Sequence, residues 1–386
     1  MDLPFKLSLF DKAMGKPKGW LGDPIRCEFT PRHNAVGSMS VTFAAGHPKA
    51  ALLLTPGSRL SVDYHGSFLQ SGMMRSWQQD GGQTDGTVTV QYSDDMVLWW
   101  EILGWPNPTQ LINAQNTGGV KEDKVTGAAE TVAKTFMTRN GVTRLGLPLT
   151  VATTHGYGST ITVPFRMVPL ADNLMTVVDQ AGVGLSVQQS GTGYIIDAYQ
   201  PRVYPHVLTE RSGIVIPNSV GYTEATMTRT VVAGPGVGSS REWLLRVDSA
   251  RETALNRKIE VLTDASSSEV TTEREKAGDA ALVAAGPTAG FSMGLSETAY
   301  FRYGDKLRVG DIVPIDIGGG NVVTDILREA TLTWDRENGL TVRPAVGERT
   351  NDPIRSLVGM VARTARRVRG LTTNDSSGSS GDGGTF

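Results

Sequence analysis

The chain has 386 residues, of which 39% are hydrophobic and 20% charged, with a formal net charge of −2. That length serves two to three domains with buried cores, and no stretch approaches the roughly 20 apolar residues of a membrane-spanning helix. The balanced charge argues against a protein that grips nucleic acid through its phosphates, which calls for a basic excess.

Residues 20–110 read as antiparallel β structure. Leu60, Val62 and Tyr64 alternate with Ser61, Asp63 and His65, and Val88, Val90 and Tyr92 with Thr87, Thr89 and Gln91. A period of two with one apolar face is a half-buried strand. Pro56-Gly57-Ser58 is expected to turn one pair of strands, and the stretch from Asp80-Gly81-Gly82 to Asp85-Gly86 another. Trp99, Trp100, Trp105 and Pro106-Asn107-Pro108 close this block. From 126 to 141 the period is helical, with Ala129, Val132, Ala133, Phe136 and Met137 on one face and Asn140-Gly141 as the stop. A second helix is expected over 169–182, capped by Gly182, followed by a hairpin turning at Ser190-Gly191. Strands return over 206–247. Residues 248–300 are mixed, with a polar helix at 267–284. From 300 to 348 the chain is β again, with Asn338-Gly339 as the strongest hairpin signal. Asp352-Pro353 then opens a last helix, as N-cap and first turn. Its apolar stripe is Ile354, Leu357, Val358, Val361, Ala365 and Val368. Arg355, Arg363, Arg366, Arg367 and Arg369 crowd the flanks. After Leu371 the Ser/Gly/Asp-rich sequence cannot bury enough to fold.

Several patterns that could carry chemistry are weak in their context. Gly290-Phe291-Ser292-Met293-Gly294 matches a nucleophile elbow, but the elbow needs a helix after the serine, and Thr298-Ala299-Tyr300-Phe301 reads as strand. Gly234-Pro235-Gly236-Val237-Gly238 could cradle phosphate, but a strand pattern, Trp243 to Val247, follows instead of a helix. That loop is read as a hairpin tip. The five histidines, His33, His47, His65, His155 and His206, show no metal-binding spacing, and Cys27, the sole cysteine, excludes a disulfide within the chain and a cysteine-based zinc site. Asp94-Asp95 with Glu101 could act as paired carboxylates, but the preferred reading is a solvated turn. The tryptophans could stack on a sugar, but they are read mainly as core. The arginine-flanked helix is read as docking on a protein rather than on membrane or nucleic acid. No catalytic, cofactor or metal residue is assigned. The first twenty residues lack the apolar core of a signal peptide, which places synthesis in a cytoplasm.

Several stretches, taken in order, carry a likeness to known proteins. The middle carries it best, through Gly127-Ala128-Ala129-Glu130-Thr131-Val132, Leu147-Pro148-Leu149, Pro169-Leu170, Ala181-Gly182-Val183-Gly184-Leu185 and Pro201-Arg202. The front joins through Leu54-Thr55-Pro56-Gly57, Ser71-Gly72 and Asp94-Asp95, and the rear through Tyr303-Gly304-Asp305-Lys306-Leu307 and Val309-Gly310-Asp311. Together they resemble a family of siphophage tail-tip and baseplate-hub proteins, the minor tail proteins of actinobacteriophage type. Such proteins are similar in plan to the hubs of contractile phages and to the N-terminal regions of tail-associated lysins. The resemblance implies a mainly β fold with α+β insertions. Two tail-tube-like β-barrel domains, 1–112 and 206–247 with 301–350, would carry an α+β insert at 113–205 and a small mixed insert at 248–300. The basic amphipathic helix, 351–371, and a disordered tail, 372–386, would follow. The implied role is structural: a homotrimeric hub at the tail tip of the virion, without a cofactor, that forms part of the DNA-ejection conduit. Its implied partners are the distal tail protein or tube ring, the tape-measure protein C-terminus, and other minor tail proteins or a central fibre. Genomic DNA would pass without specific binding, and no membrane contact is expected. The rival readings are a carbohydrate-binding receptor module that uses the tryptophans and a tail-borne cell-wall hydrolase.

Overall fold

Alternating apolar residues build the front of the chain in the computed structural model, which describes residues 2–115, 119–209, 215–266, 268, 270–295, 303–316 and 322–346. Strands β1 (Phe5–Phe10), β2 (Gly19–Leu21), β3 (Arg26–Thr30) and β4 (Ser38–Ala44) lead to a one-turn helix, α1 (Ala50–Leu53). Then come β5 (Arg59–Tyr64), β6 (Ser67–Asp80) and β7 (Thr87–Asp94). In β4 the side chains of Met39, Val41 and Phe43 point into the core and the residues between them stay partly open, as a half-buried strand requires. The turn at 80–86 joins β6 to β7 as expected. The Pro56-Gly57-Ser58 turn does not join paired strands: it leads from α1 into β5, while β4 lies against β7. The hairpin partner of β5 is β6. They are joined at His65-Gly66, where both residues adopt left-handed φ, 47° and 80°, as a two-residue hairpin turn demands.

The middle is α+β. A short turn and α2 (Leu98–Glu101) precede β8 (Leu103–Gly104), β9 (Asp123–Ala128), α3 (Ala129–Met137), β10 (Leu149–Val151), β11 (Thr160–Phe165) and β12 (Val168–Pro169). Next are α4 (Leu170–Gln180) and the hairpin β13 (Gly184–Ser190) and β14 (Gly193–Tyr199). Helix α3 starts later than expected, because 123–128 pairs with β11 as a strand. Nor does it stop at Asn140-Gly141, since the chain continues as a π-helical turn over Thr138–Arg144. Asn140 is buried there, donating to the Phe136 carbonyl and accepting the Trp105 N–H. Gly141 serves close approach: a Cβ on it would lie 2.7 Å from Leu149 Cδ1. The left-handed glycine is Gly146, φ 62°. Phe136, Val132, Leu174, Val178 and Phe165 form a second core, separate from that of the large sheet. Trp99 lies within it, as read.

The rear comprises β15 (Val215–Thr223), β16 (Arg229–Ala233), β17 (Trp243–Val247), α5 (Ser249–Leu255), β18 (Glu260–Asp264) and α6 (Thr271–Ala284). Strands β19 (Thr288–Leu295), β20 (Ile312–Asp316), β21 (Val322–Asp335) and β22 (Gly339–Val346) complete it. Here the structure departs from the two expected barrels. Among the described residues no closed barrel is found. Front and rear strands join one sheet in the order β15-β19-β22-β21-β3-β4-β7-β6-β5-β1-β2, with β20 beside β21. The joint is the antiparallel pairing of Leu332–Asp335 with Arg26–Phe29. It gives the open side of β3 its hydrogen bonds, so closure within the front segment is not needed to satisfy that edge. One core runs under both parts, from Leu7 and Phe29 to Leu327 and Val342. Strand β16 pairs with β17 on one side and β18 on the other in a separate sheet, so this small layer draws on both sides of residue 247. The helix expected at 353–369, including every docking residue from Ile354 to Val368, and the tail 372–386 lie outside the described residues.

Candidate functional site: a polar seam and a cleft

The weak chemical motifs stay without a site. Ser292 lies within β19, which is paired on both sides. The Gly234–Gly238 loop bridges the antiparallel strands β16 and β17. Among the described residues no group of three His, Cys, Asp or Glu gathers to hold a metal. The tryptophans offer no shared platform: Trp99 is buried, and the Arg144 guanidinium lies 4.5 Å from the Trp105 ring centre.

The carboxylates Asp94 and Asp95 correct the solvated-turn reading. They are 7% and 3% exposed, at the end of β7 where the chain leaves the sheet for the α+β insert. Arg59, the first residue of β5 and itself 4% exposed, donates from Nη2 to both Asp95 oxygens at 2.6 Å. The same guanidinium reaches the insert, with Nε to Gln189 Oε1 at 2.6 Å and Nη1 to the Tyr194 hydroxyl at 3.1 Å. Ser71 Oγ donates to Asp95 Oδ2 and accepts the Gln189 N–H. Burial pushes the Asp95 carboxyl up, and Arg59 pulls it partly back. One buried ion pair thus ties β5, β6 and β7 to β13 and β14.

A second fastening lies along the same boundary. His33 contacts Asp179 Oδ1 through Nε2 and the Tyr199 hydroxyl through Nδ1, both at 2.8 Å. Asn34, held at φ 47°, donates to the Val183 carbonyl and accepts the Leu185 N–H. Arg328 of β21 donates to Asp179 Oδ2 at 2.7 Å. Burial alone would raise the Asp179 carboxyl, but its hydrogen bond to His33 and the Arg328 charge hold it below the usual range. Front, insert and rear therefore meet on one carboxylate of α4.

Near these fastenings opens a cleft of about 200 Å³, lined in part by Phe68, Gln70, Asp94, Val187, Tyr199 and Tyr303. Asp94 accepts the Met96 N–H at Oδ1 and the Gln70 amide at Oδ2. Burial still pushes its carboxyl up to about 6, with the Asp95 charge adding to the effect. A raised value means that the folded state favours the neutral acid. The stabilising contribution is complete below the ordinary value of 3.8 and is lost as pH climbs through about 6. We expect Asp94→Asn to abolish a stability loss of about 2–3 kcal/mol between pH 4 and pH 7.5. Urea unfolding of both proteins at the two pH values checks this, and an equal slope with pH in both would refute it.

Sequence alternation missed this seam for a reason visible in β5. Leu60, Val62 and Tyr64 mark the core face, which leaves Arg59 on the face that ought to meet solvent. The insert covers that end of the strand. No local pattern reports a cover that arrives from residues 130 positions away. An apolar face is also left open elsewhere: Trp243, Leu245 and Val247 project from one side of β17, and Leu262 of β18 is exposed as well.

A family model described as Siphovirus ReqiPepy6 Gp37-like protein matches residues 7–348. No protein with a curated description matches the chain. Among solved structures, the chain is similar to a 43 kDa tail protein of prophage MuSo2 from Shewanella oneidensis. That match has a TM-score of 0.56 at 12% identity and covers 88% of this chain and 98% of the other. A tail protein from Neisseria meningitidis MC58 gives a TM-score of 0.54 at 12% identity, over 90% and 97%. The prophage tail protein gp18 from Listeria monocytogenes EGD-e gives 0.51 at 13% identity, over 94% and 99%. These likenesses establish a common fold.

Proposed function

The chain belongs to the Siphovirus ReqiPepy6 Gp37-like family, and from that membership we propose that it is a structural protein of a siphovirus tail, acting as a hub at the tail tip. The observation that carries this reading is the end-to-end fold likeness to prophage tail proteins, which leaves little of either chain unmatched. The front segment, 1–112, and the rear, 206–247 with 301–350, act as two tube-related modules that share one sheet. The inserts at 113–205 and 248–300 ride on them. Three chains then offer six such modules to a six-fold tube while presenting three-fold symmetry to a fibre or spike. The seam supports this role, since a decorating insert must hold its position while force passes along the tail.

The partners follow from that placement: two further copies of the chain, the distal tail protein or tube ring, the tape-measure C-terminus, and other minor tail proteins or a central fibre. A net charge of −2 suits a conduit, because a strongly basic wall would retain DNA by its phosphates. The open apolar face around Trp243 and Leu245 fits a protein contact in a crowded assembly. The stripe of Ile354, Leu357, Val358, Val361, Ala365 and Val368, with Arg363, Arg366 and Arg367 beside it, is proposed as a docking helix for such a neighbour. Made in the host cytoplasm, the protein ends in the virion. Immunogold labelling of intact virions with antibody to this chain is expected to mark the tail tip. Label on the capsid, or none on infectious particles, would overturn the assignment.

A further inference from the structure

The cleft between sheet and insert holds one acceptor without a donor and one carboxylate without a counter-charge among the described residues. Gln70, 2% exposed, donates from Nε2 to the Thr30 carbonyl at 3.3 Å and to Asp94 Oδ2 at 2.9 Å. Those two partners fix the orientation of the amide, because a flipped group would set oxygen against oxygen. Gln70 Oε1 is thereby buried without a donor among the described residues. Beside it, Asp94 receives the Met96 N–H and the Gln70 amide, and makes no ion pair among the described residues. The arginines around the cleft are turned elsewhere. Arg59 holds Asp95, Arg32 holds Glu329 and the Val36 carbonyl, and Arg308 donates from Nε to the Gly304 carbonyl. A buried acceptor without a donor is costly, and a buried charge without a partner more so. A donor carrying positive charge would relieve both at once.

We propose that this cleft receives one ammonium or guanidinium group, the tip of a lysine or arginine side chain on a neighbouring tail polypeptide, which donates to Asp94 and to Gln70 Oε1. The size fits. About 200 Å³ falls below the roughly 300–1,000 Å³ of sites for small molecules and suits a single side chain. The aromatic lining of Tyr64, Phe68, Tyr199 and Tyr303 suits a cation with an alkyl stem. That the group arrives on a polypeptide rests on the tail-protein reading. That the cleft takes a cation does not.

The test has two arms. In the first, the full chain carrying ¹⁵N-glutamine is titrated with n-butylammonium chloride at pH 7.5, with n-butanol as the neutral counterpart. The butylammonium ion is expected to shift the Gln70 side-chain amide saturably, and Asp94→Asn to weaken that binding at least about tenfold. The Asn side chain keeps the acceptor for Met96 N–H, and circular dichroism confirms the fold of the variant. Equal binding of butanol, or unchanged affinity in Asp94→Asn, would overturn the cation site whatever the protein's role. In the second arm, a cryo-EM map of the assembled tail tip is expected to show a lysine or arginine of a neighbouring chain within hydrogen-bonding distance of Asp94. A free amine in the cleft, or a cleft facing open solvent, would overturn the polypeptide source and leave the first arm standing.

Discussion

Replacing Arg59 with leucine is expected to cost about 3–5 kcal/mol of stability, because it strands the Asp95 carboxylate in a buried site with only Ser71 as donor. Arg59 reaches Asp95, Gln189 and Tyr194 together, so the same change also loosens the insert from the sheet. Removing both charges should be far milder. In Arg59→Leu with Asp95→Leu no buried charge is left without a partner, and such swaps are often neutral or stabilising. Urea unfolding of the two single variants and the double variant gives the coupling directly. Limited proteolysis should show earlier cleavage near residues 94–105 in Arg59→Leu than in the double variant. A loss below about 1 kcal/mol for Arg59→Leu would mean that the seam is held elsewhere and that the ion pair is incidental.

The second large effect lies in the C-terminal sequence. The helix proposed over 353–369 would be marginal in water on its own, so its apolar stripe would need a partner to cover it. Leu357→Asp places a charge in the middle of that stripe and should cost on the order of 2–4 kcal/mol at a buried contact. Tail assembly should fail while the isolated protein keeps its circular dichroism spectrum and unfolding midpoint. Changing Arg366 and Arg367 to Gln should be milder and sensitive to salt, because flanking charges steer and register more than they bind. Normal, infectious tails from Leu357→Asp would show that the stripe docks on nothing required.

What the sequence made legible was local. Alternation in β5 and β7, the helical stripe from Leu170 to Val178, the cap at Gly182 and the Asn338-Gly339 turn each depend on a few neighbours, and each is found where the pattern placed it. What escaped was non-local. The pairing of β21 with β3 joins residues some 300 positions apart, and nothing in either strand's composition names its partner. The π-helical turn after Met137 follows from the burial of Asn140 and the approach of Leu149 to Gly141, not from propensity. Asp94 and Asp95 have the composition of a solvated turn. They are buried because the insert folds back over the end of β7, and only the resulting ion pair and amide contact disclose it.

The proposed hub, built from paired tube-related modules, fixes the copy number and placement of this chain in assembled tail tips. Cryo-EM of purified tails is expected to show three copies around the tail axis at the distal end of the tube, with the large sheets continuing the tube wall and the inserts outside. Isolated protein is not the sample for this test, because ring contacts can require neighbours to form. A tip without this chain, or one in which it forms a closed dimer with the large sheets buried against each other, would rule out the trimeric hub.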